Sequence, residues 1–118
     1  MGVSIGIFTK PWNRAQVNTS GNITLDMLNR QLREFNPSAA IAAPKTWILE
    51  NASKAFEFRY RFTLSGLHVQ TMPANFRMTD PMFNTSNQQW TPLDIGEYEA
   101  HGTFDGTNWN LTIVGLWT

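Results

Sequence analysis

From Phe56 to Ser65 apolar and polar side chains alternate without a break. Phe56, Phe58, Tyr60, Phe62 and Leu64 face one way, and Glu57, Arg59, Arg61, Thr63 and Ser65 the other. A period of two predicts a β-strand with one buried and one wetted face. Leu67 and Val69 prolong the pattern, with Gly66 marking a bulge or turn. Residues 97–104 and 109–117 read as a terminal hairpin around Asp105-Gly106-Thr107-Asn108, whose Asp-Gly pair suits a turn needing positive φ. In the second arm of that hairpin Trp109, Leu111 and Ile113 alternate, and then Val114, Leu116 and Trp117 make the end apolar on both faces. Such an end predicts a cover, from a helix or from another subunit.

Weaker signals fill the rest. Thr46, Trp47 and Ile48 are strand formers within residues 45–50, and residues 75–79 make a short strand after Pro73. Residues 80–89 are rich in Asp, Pro, Asn, Ser and Gln and read as a loop, followed by short edge pieces around Pro92. One helix is expected, from about Thr24 to Phe35. Thr24 suits the N-cap, Asp26 the first turn, and Leu25, Leu28, Leu32 and Phe35 fall on one helical face before Asn36-Pro37 stops it. Residues 1–23 read as an extended N-terminal arm, with Val3, Ile5 and Ile7 alternating between Gly2 and Gly6 and a turn at Ser20-Gly21-Asn22. The expected architecture is mainly β: the arm, then a single domain over 24–118 with six to eight strands. Short turns without alternating helices point to an antiparallel β-sandwich or jelly-roll-like domain.

Composition agrees with one folded domain. The 118 residues are 42% hydrophobic, 13% aromatic and 15% charged, the reverse of a disordered chain. Nine basic and nine acidic residues leave the formal net charge at zero. Without a basic excess a nucleic-acid partner is not expected, although folding can still cluster Arg59, Arg61 and Arg77. With no cysteine, disulfides and thiolate metal sites are excluded. The first residues are too short and too interrupted for a signal-peptide core, and no apolar run reaches the roughly 20 residues of a membrane helix.

Candidate chemistry is sparse. His68 and His101 are the two histidines, and both are expected as surface or cross-strand side chains; without cysteine or HExxH spacing a zinc site is not expected. Glu97 and Glu99 share one strand face, as the carboxylates of a glycosidase would, but such a pair is more often the solvated side of a hairpin. No GxSxG elbow, phosphate loop or GxGxxG occurs. Five sequons, at Asn18, Asn22, Asn51, Asn84 and Asn110, read as Asn/Thr richness suited to turns and polar sheet faces. Trp90, with Asn87 and Gln88 just before it, is the candidate for a glycan or partner contact, because sugar sites pair a ring with amides. The stronger expectation for Trp90 is a core or interface position.

Two stretches carry a resemblance. Gly21-Asn22-Ile23-Thr24-Leu25-Asp26-Met27-Leu28-Asn29-Arg30-Gln31-Leu32-Arg33, within Trp12 to Phe35, resembles the N-terminal pattern of bacteriophage fibre and minor structural proteins. Phe104-Asp105-Gly106-Thr107-Asn108-Trp109 is similar to hairpins that end small β domains in phage fibres. Together they span about a quarter of the chain; residues 37–103 carry no resemblance. The resemblance implies a non-enzymatic virion component of short-fibre, capsid-decorating or tail-tip type, made in the host cytoplasm and using no cofactor. It implies an oligomer, a trimer before a dimer, contacting other virion proteins. On that reading Ile5, Ile7, Phe8, Trp12, Trp109, Leu116 and Trp117, or the Phe56–Leu64 face, are candidates for a subunit interface. A host-receptor or glycan-binding tip is the alternative.

Overall fold

The structure, a computed structural model, describes residues 12–116. Among these it is all-β, with two mixed sheets packed over a shared core. The first half of the chain winds. β1 (Asn13–Val17), β3 (Leu32–Pro37) and β5 (Glu57–Leu64) lie side by side in one sheet. β2 (Ile23–Asp26), β4 (Lys45–Glu50) and β6 (Gln70–Thr71) do so in the other. The chain therefore changes sheet at every connection, and neighbours within a sheet run parallel.

The second half closes this coil. β7 (Phe76–Arg77), β8 (Phe83–Asn84) and β9 (Gln89–Trp90) are two-residue ladders, and β10 (Gly96–Phe104) and β11 (Trp109–Gly115) form the long hairpin. The six-stranded sheet has the order β1-β3-β5-β10-β11-β7, and the five-stranded one β2-β4-β6-β9-β8. Only β10 with β5 and β11, and β9 with β6 and β8, pair antiparallel.

The alternation in β5 becomes the centre of the core. Phe58, Tyr60 and Phe62 are fully buried. Trp47 of β4 meets Tyr60 and Phe62 edge-on, with both ring centroids at 5.5 Å. Phe62 stacks on Tyr98 at 5.8 Å, and Phe58 packs on Trp109 at 5.4 Å. Such aromatic pairs add to the burial of their own large surfaces. Within this core the Trp47 indole N–H donates to Gln70 Oε1, and the Gln70 amide donates to the His68 carbonyl, so these two buried side chains satisfy each other.

Three expectations are corrected. The helix over 24–35 is absent: Thr24 to Asp26 belong to β2, residues 28–31 turn, and Leu32 opens β3. Leu28 and Asn29 take the left-handed conformation, at φ 51° and 53°, which no helix interior accepts. The same stretch also carries a period of two, Ile23, Leu25 and Met27, all fully buried. Parallel pairing of β2 with β4 rewards that period, while Leu28 of the supposed helical face is 51% exposed. Secondly, the sheets are mixed and not antiparallel, because the winding half pairs in parallel. Thirdly, Asn13–Val17, assigned by sequence to the arm, is a strand of the six-stranded sheet, and Ile23 lies in β2. The remainder of the arm, including Ile5, Ile7 and Phe8, lies outside the described residues.

Candidate functional site

Strand register carries the wetted face of β5 into a charged lattice on the outside of the six-stranded sheet. One row runs across the strands from Arg14 through Glu34 and Arg59 to His101, and the next sets Arg61 against Glu99. Arg14 Nε lies 2.9 Å from Glu34, and Arg61 lies 3.2 Å from Glu99. Opposite charges on facing strands each contribute a few tenths of a kcal/mol, up to about 1. The lattice thus sets register and solubility more than stability.

His101 is the one histidine placed in this lattice. Its Nε2 meets Glu57 Oε2 from the diagonal position on β5. Glu57, Arg59, Glu99, His101, Thr112 and Val114 line a shallow groove of about 400 Å³ over the sheet. The groove holds a carboxylate–imidazole pair, but no serine lines it, and the Thr112 hydroxyl points to the His101 carbonyl. His68 sits in the loop after β5, where its ring packs against Gly66. Glu97 and Glu99 do share a face; Glu97 is exposed and Glu99 is engaged by Arg61. Among the described residues no group of three His, Asp or Glu side chains is set to hold a metal ion.

The glycan candidates scatter. Trp90 is 3% exposed, packs edge-on against Tyr98 at 5.3 Å, and donates its indole N–H to Asp80. A ring so enclosed offers no face to a sugar, which corrects the sugar-stacking candidate in favour of the core position. Gln88 spends its amide on the carbonyls of Pro73 and Phe76, and its φ of 58° shapes the turn into β9. Asn87 is exposed and caps the Gln89 N–H.

The interface candidates divide too. Trp109 is 2% exposed and fills the interior of its own subunit between Phe58 and Phe104, so it is no docking surface. Leu116 is half-buried and ties back to the Glu97 carbonyl. Trp12 is half-buried beside β1, with the Arg59 guanidinium 4.2 Å above its ring. Trp117 lies outside the described residues. Of the Phe56–Leu64 face, Phe58 to Leu64 point into the core, and Phe56 alone is exposed, at 57%.

Four exposed apolar side chains lie at the two ends of β10, while Leu28, Leu67 and Val114 are exposed singly elsewhere. At one end Phe56 and Phe104 adjoin, tied by the Phe104 N–H donating to the Phe56 carbonyl. Both continue the inward-facing series of their strands. At the other end Leu93 and Ile95 stand 70% and 61% exposed, beside a cleft lined by Met82, Trp90 and Tyr98. The alternation that contains Phe56 was legible in sequence, but its exposure was not.

Comparison with protein-family models, with curated proteins and with solved structures finds no match to this chain.

Proposed function

We propose that this chain is a non-enzymatic structural module of a bacteriophage particle, assembling with copies of itself and with other virion proteins. The observation that carries the proposal is the pair of apolar ends on β10: Phe56 with Phe104, and Leu93 with Ile95, four large side chains that are 37–70% exposed. Exposed apolar groups rimmed by polar ones mark contact sites. The two ends are separated by a nine-residue strand, a span of roughly 30 Å. One subunit therefore offers two different surfaces, as a ring or fibre requires when end meets unlike end. The sandwich-like pair of sheets serves as a stiff spacer between them. The phage assignment rests on the resemblance of Gly21–Arg33 and Phe104–Trp109 alone.

The test is mass determination by light scattering on the full chain at about 100 μM. An oligomer is expected, with a trimer as the leading stoichiometry, and the double change Phe56→Ser with Phe104→Ser is expected to shift it toward monomer. A wild-type chain that stays monomeric, or an oligomer indifferent to the double change, overturns the reading.

A further inference from the structure

A groove lies away from the charged lattice and from β10. It has a volume of about 550 Å³ and is lined by Trp12, Asn13, Asn29, Arg30, Gln31 and Lys54, together with Leu32. That volume lies within the range of small-ligand sites, roughly 300–1,000 Å³.

The walls are two connections that stack because the strands wind. Residues 27–31 follow β2, and residues 51–56 follow β4. Asp26 clamps them: its Oδ1 accepts the Leu28 N–H and the Asn51 side-chain amide, both at 2.9 Å. The Asn29 N–H donates to the Asn51 carbonyl, and the Ser53 hydroxyl to Asn29 Oδ1. The Gln31 carbonyl accepts both the Phe56 and the Glu57 N–H. Leu28, Asn29 and Asn51 all hold left-handed backbone, the conformation these tight turns demand. The groove is thus built on a fixed frame.

Its electrostatics are one-sided. Arg30 and Lys54 are exposed, and neither makes an ion pair with a described residue. No carboxylate lines the groove. Behind it Arg33 is 4% exposed, and its guanidinium is held by neutral acceptors, the Asp26 carbonyl and the Asn13 side-chain oxygen. The ionised Asp26 carboxylate interacts with this buried cation, so the positive character of the groove comes chiefly from the exposed Arg30 and Lys54. Burial lowers the pKa of Arg33, against the raising effect of Asp26.

The remaining lining is amide and aromatic. With its oxygen taken by Ser53, Asn29 keeps its NH2 to donate, and Gln31 is exposed. Amides that donate and accept suit hydroxyls. From these features we infer that the groove binds an acidic saccharide, its carboxylate against Arg30 and Lys54 and its hydroxyls on Asn29 and Gln31. A nucleic acid fits less well: it needs a track of cations along its backbone, and the groove supplies two exposed ones.

The inference is independent of the assembly proposal, since a monomer retains the whole groove. The test is calorimetric titration of the full chain with tetragalacturonic acid at low salt. Saturable binding is expected, with about a tenfold or greater loss of affinity in the double variant Arg30→Ala with Lys54→Ala, and a loss in Asn29→Ala. The two cations are exposed and unpaired, so circular dichroism of the double variant should match the wild type. Absence of binding overturns the inference, as do equal binding of neutral chitotetraose, undiminished binding by the double variant, or preference for an oligothymidylate probe.

Discussion

Gly102 and Phe58 face each other across β10 and β5, and the fit between them leaves no room for a methyl group. A Cβ on Gly102 would stand 2.3 Å from Phe58 Cε2 and 2.6 Å from Cζ. The ring cannot retreat, because Phe76 stacks on it at 6.0 Å and Trp109 at 5.4 Å. Gly102→Ala is therefore expected to destabilise the fold by about 1–3 kcal/mol, read as a lower urea midpoint at unchanged slope; an unaltered midpoint would refute the close approach. Tyr60 gives the opposite case. Its hydroxyl is buried without a hydrogen-bond partner, and burial pushes its pKa well up. An unmatched buried hydroxyl costs about 1–3 kcal/mol. Tyr60→Phe removes that cost and keeps the contacts with Trp47 and Phe62. The expected result is a midpoint equal to or above that of the wild type, and a clear fall would mean that the hydroxyl has a partner after all.

Turns decide what the elements become, and the segment 23–37 shows how. Its apolar residues satisfy a period of two over Ile23, Leu25 and Met27, and a helical period over Leu25, Leu28, Leu32 and Phe35. Local pattern does not choose between them; the pairing of β2 with β4, more than twenty residues on, does. Arg33 deepens the ambiguity, since it points inward where strand alternation calls for an apolar residue. By contrast β5 and the β10–β11 hairpin were legible, because an uninterrupted alternation and an Asp-Gly turn leave no competing period. The turn after β2 depends on the ionised Asp26. Its carboxyl is held below the usual aspartate range first by the Asn51 amide, then by the Leu28 N–H, with the Arg33 charge adding to both. The folded pKa lies below the unfolded one, so the stabilisation is complete above about pH 4 and is lost as pH falls through the folded value. Asp26→Asn does not titrate there. Wild type should exceed this variant in urea midpoint near neutral pH, and the gap should close on acidification; a gap constant from neutrality to about pH 2 would show that charge is not what Asp26 contributes.

At the scale of the molecule, the order of strands was the least legible feature. Sequence-adjacent strands usually pair, and that rule favoured antiparallel sheets. Here the first six strands alternate between sheets, so each meets its neighbour only after a full turn of the chain: Asn13 lies beside Arg33, and Leu32 beside Glu57. The candidate groove was hidden for the same reason, since Arg30 and Lys54 come together only when two connections stack. The winding also governs how the chain folds. Each parallel contact must close a long loop before it gains anything, and the local pairings are the β10–β11 hairpin and the two-residue β8–β9 ladder. Even the β10–β11 hairpin takes its place in the sheet only by pairing along β5, itself joined to β3. Refolding is accordingly expected in the slow range for small domains, about milliseconds to seconds, at a rate independent of concentration below the assembly threshold. Trp47, Trp90 and Trp109 are all nearly fully buried, so stopped-flow tryptophan fluorescence reports the core directly. Completion within tens of microseconds, as small helical bundles achieve, would contradict a parallel-wound half, because no local element of this fold gathers those three indoles without the long-range pairings.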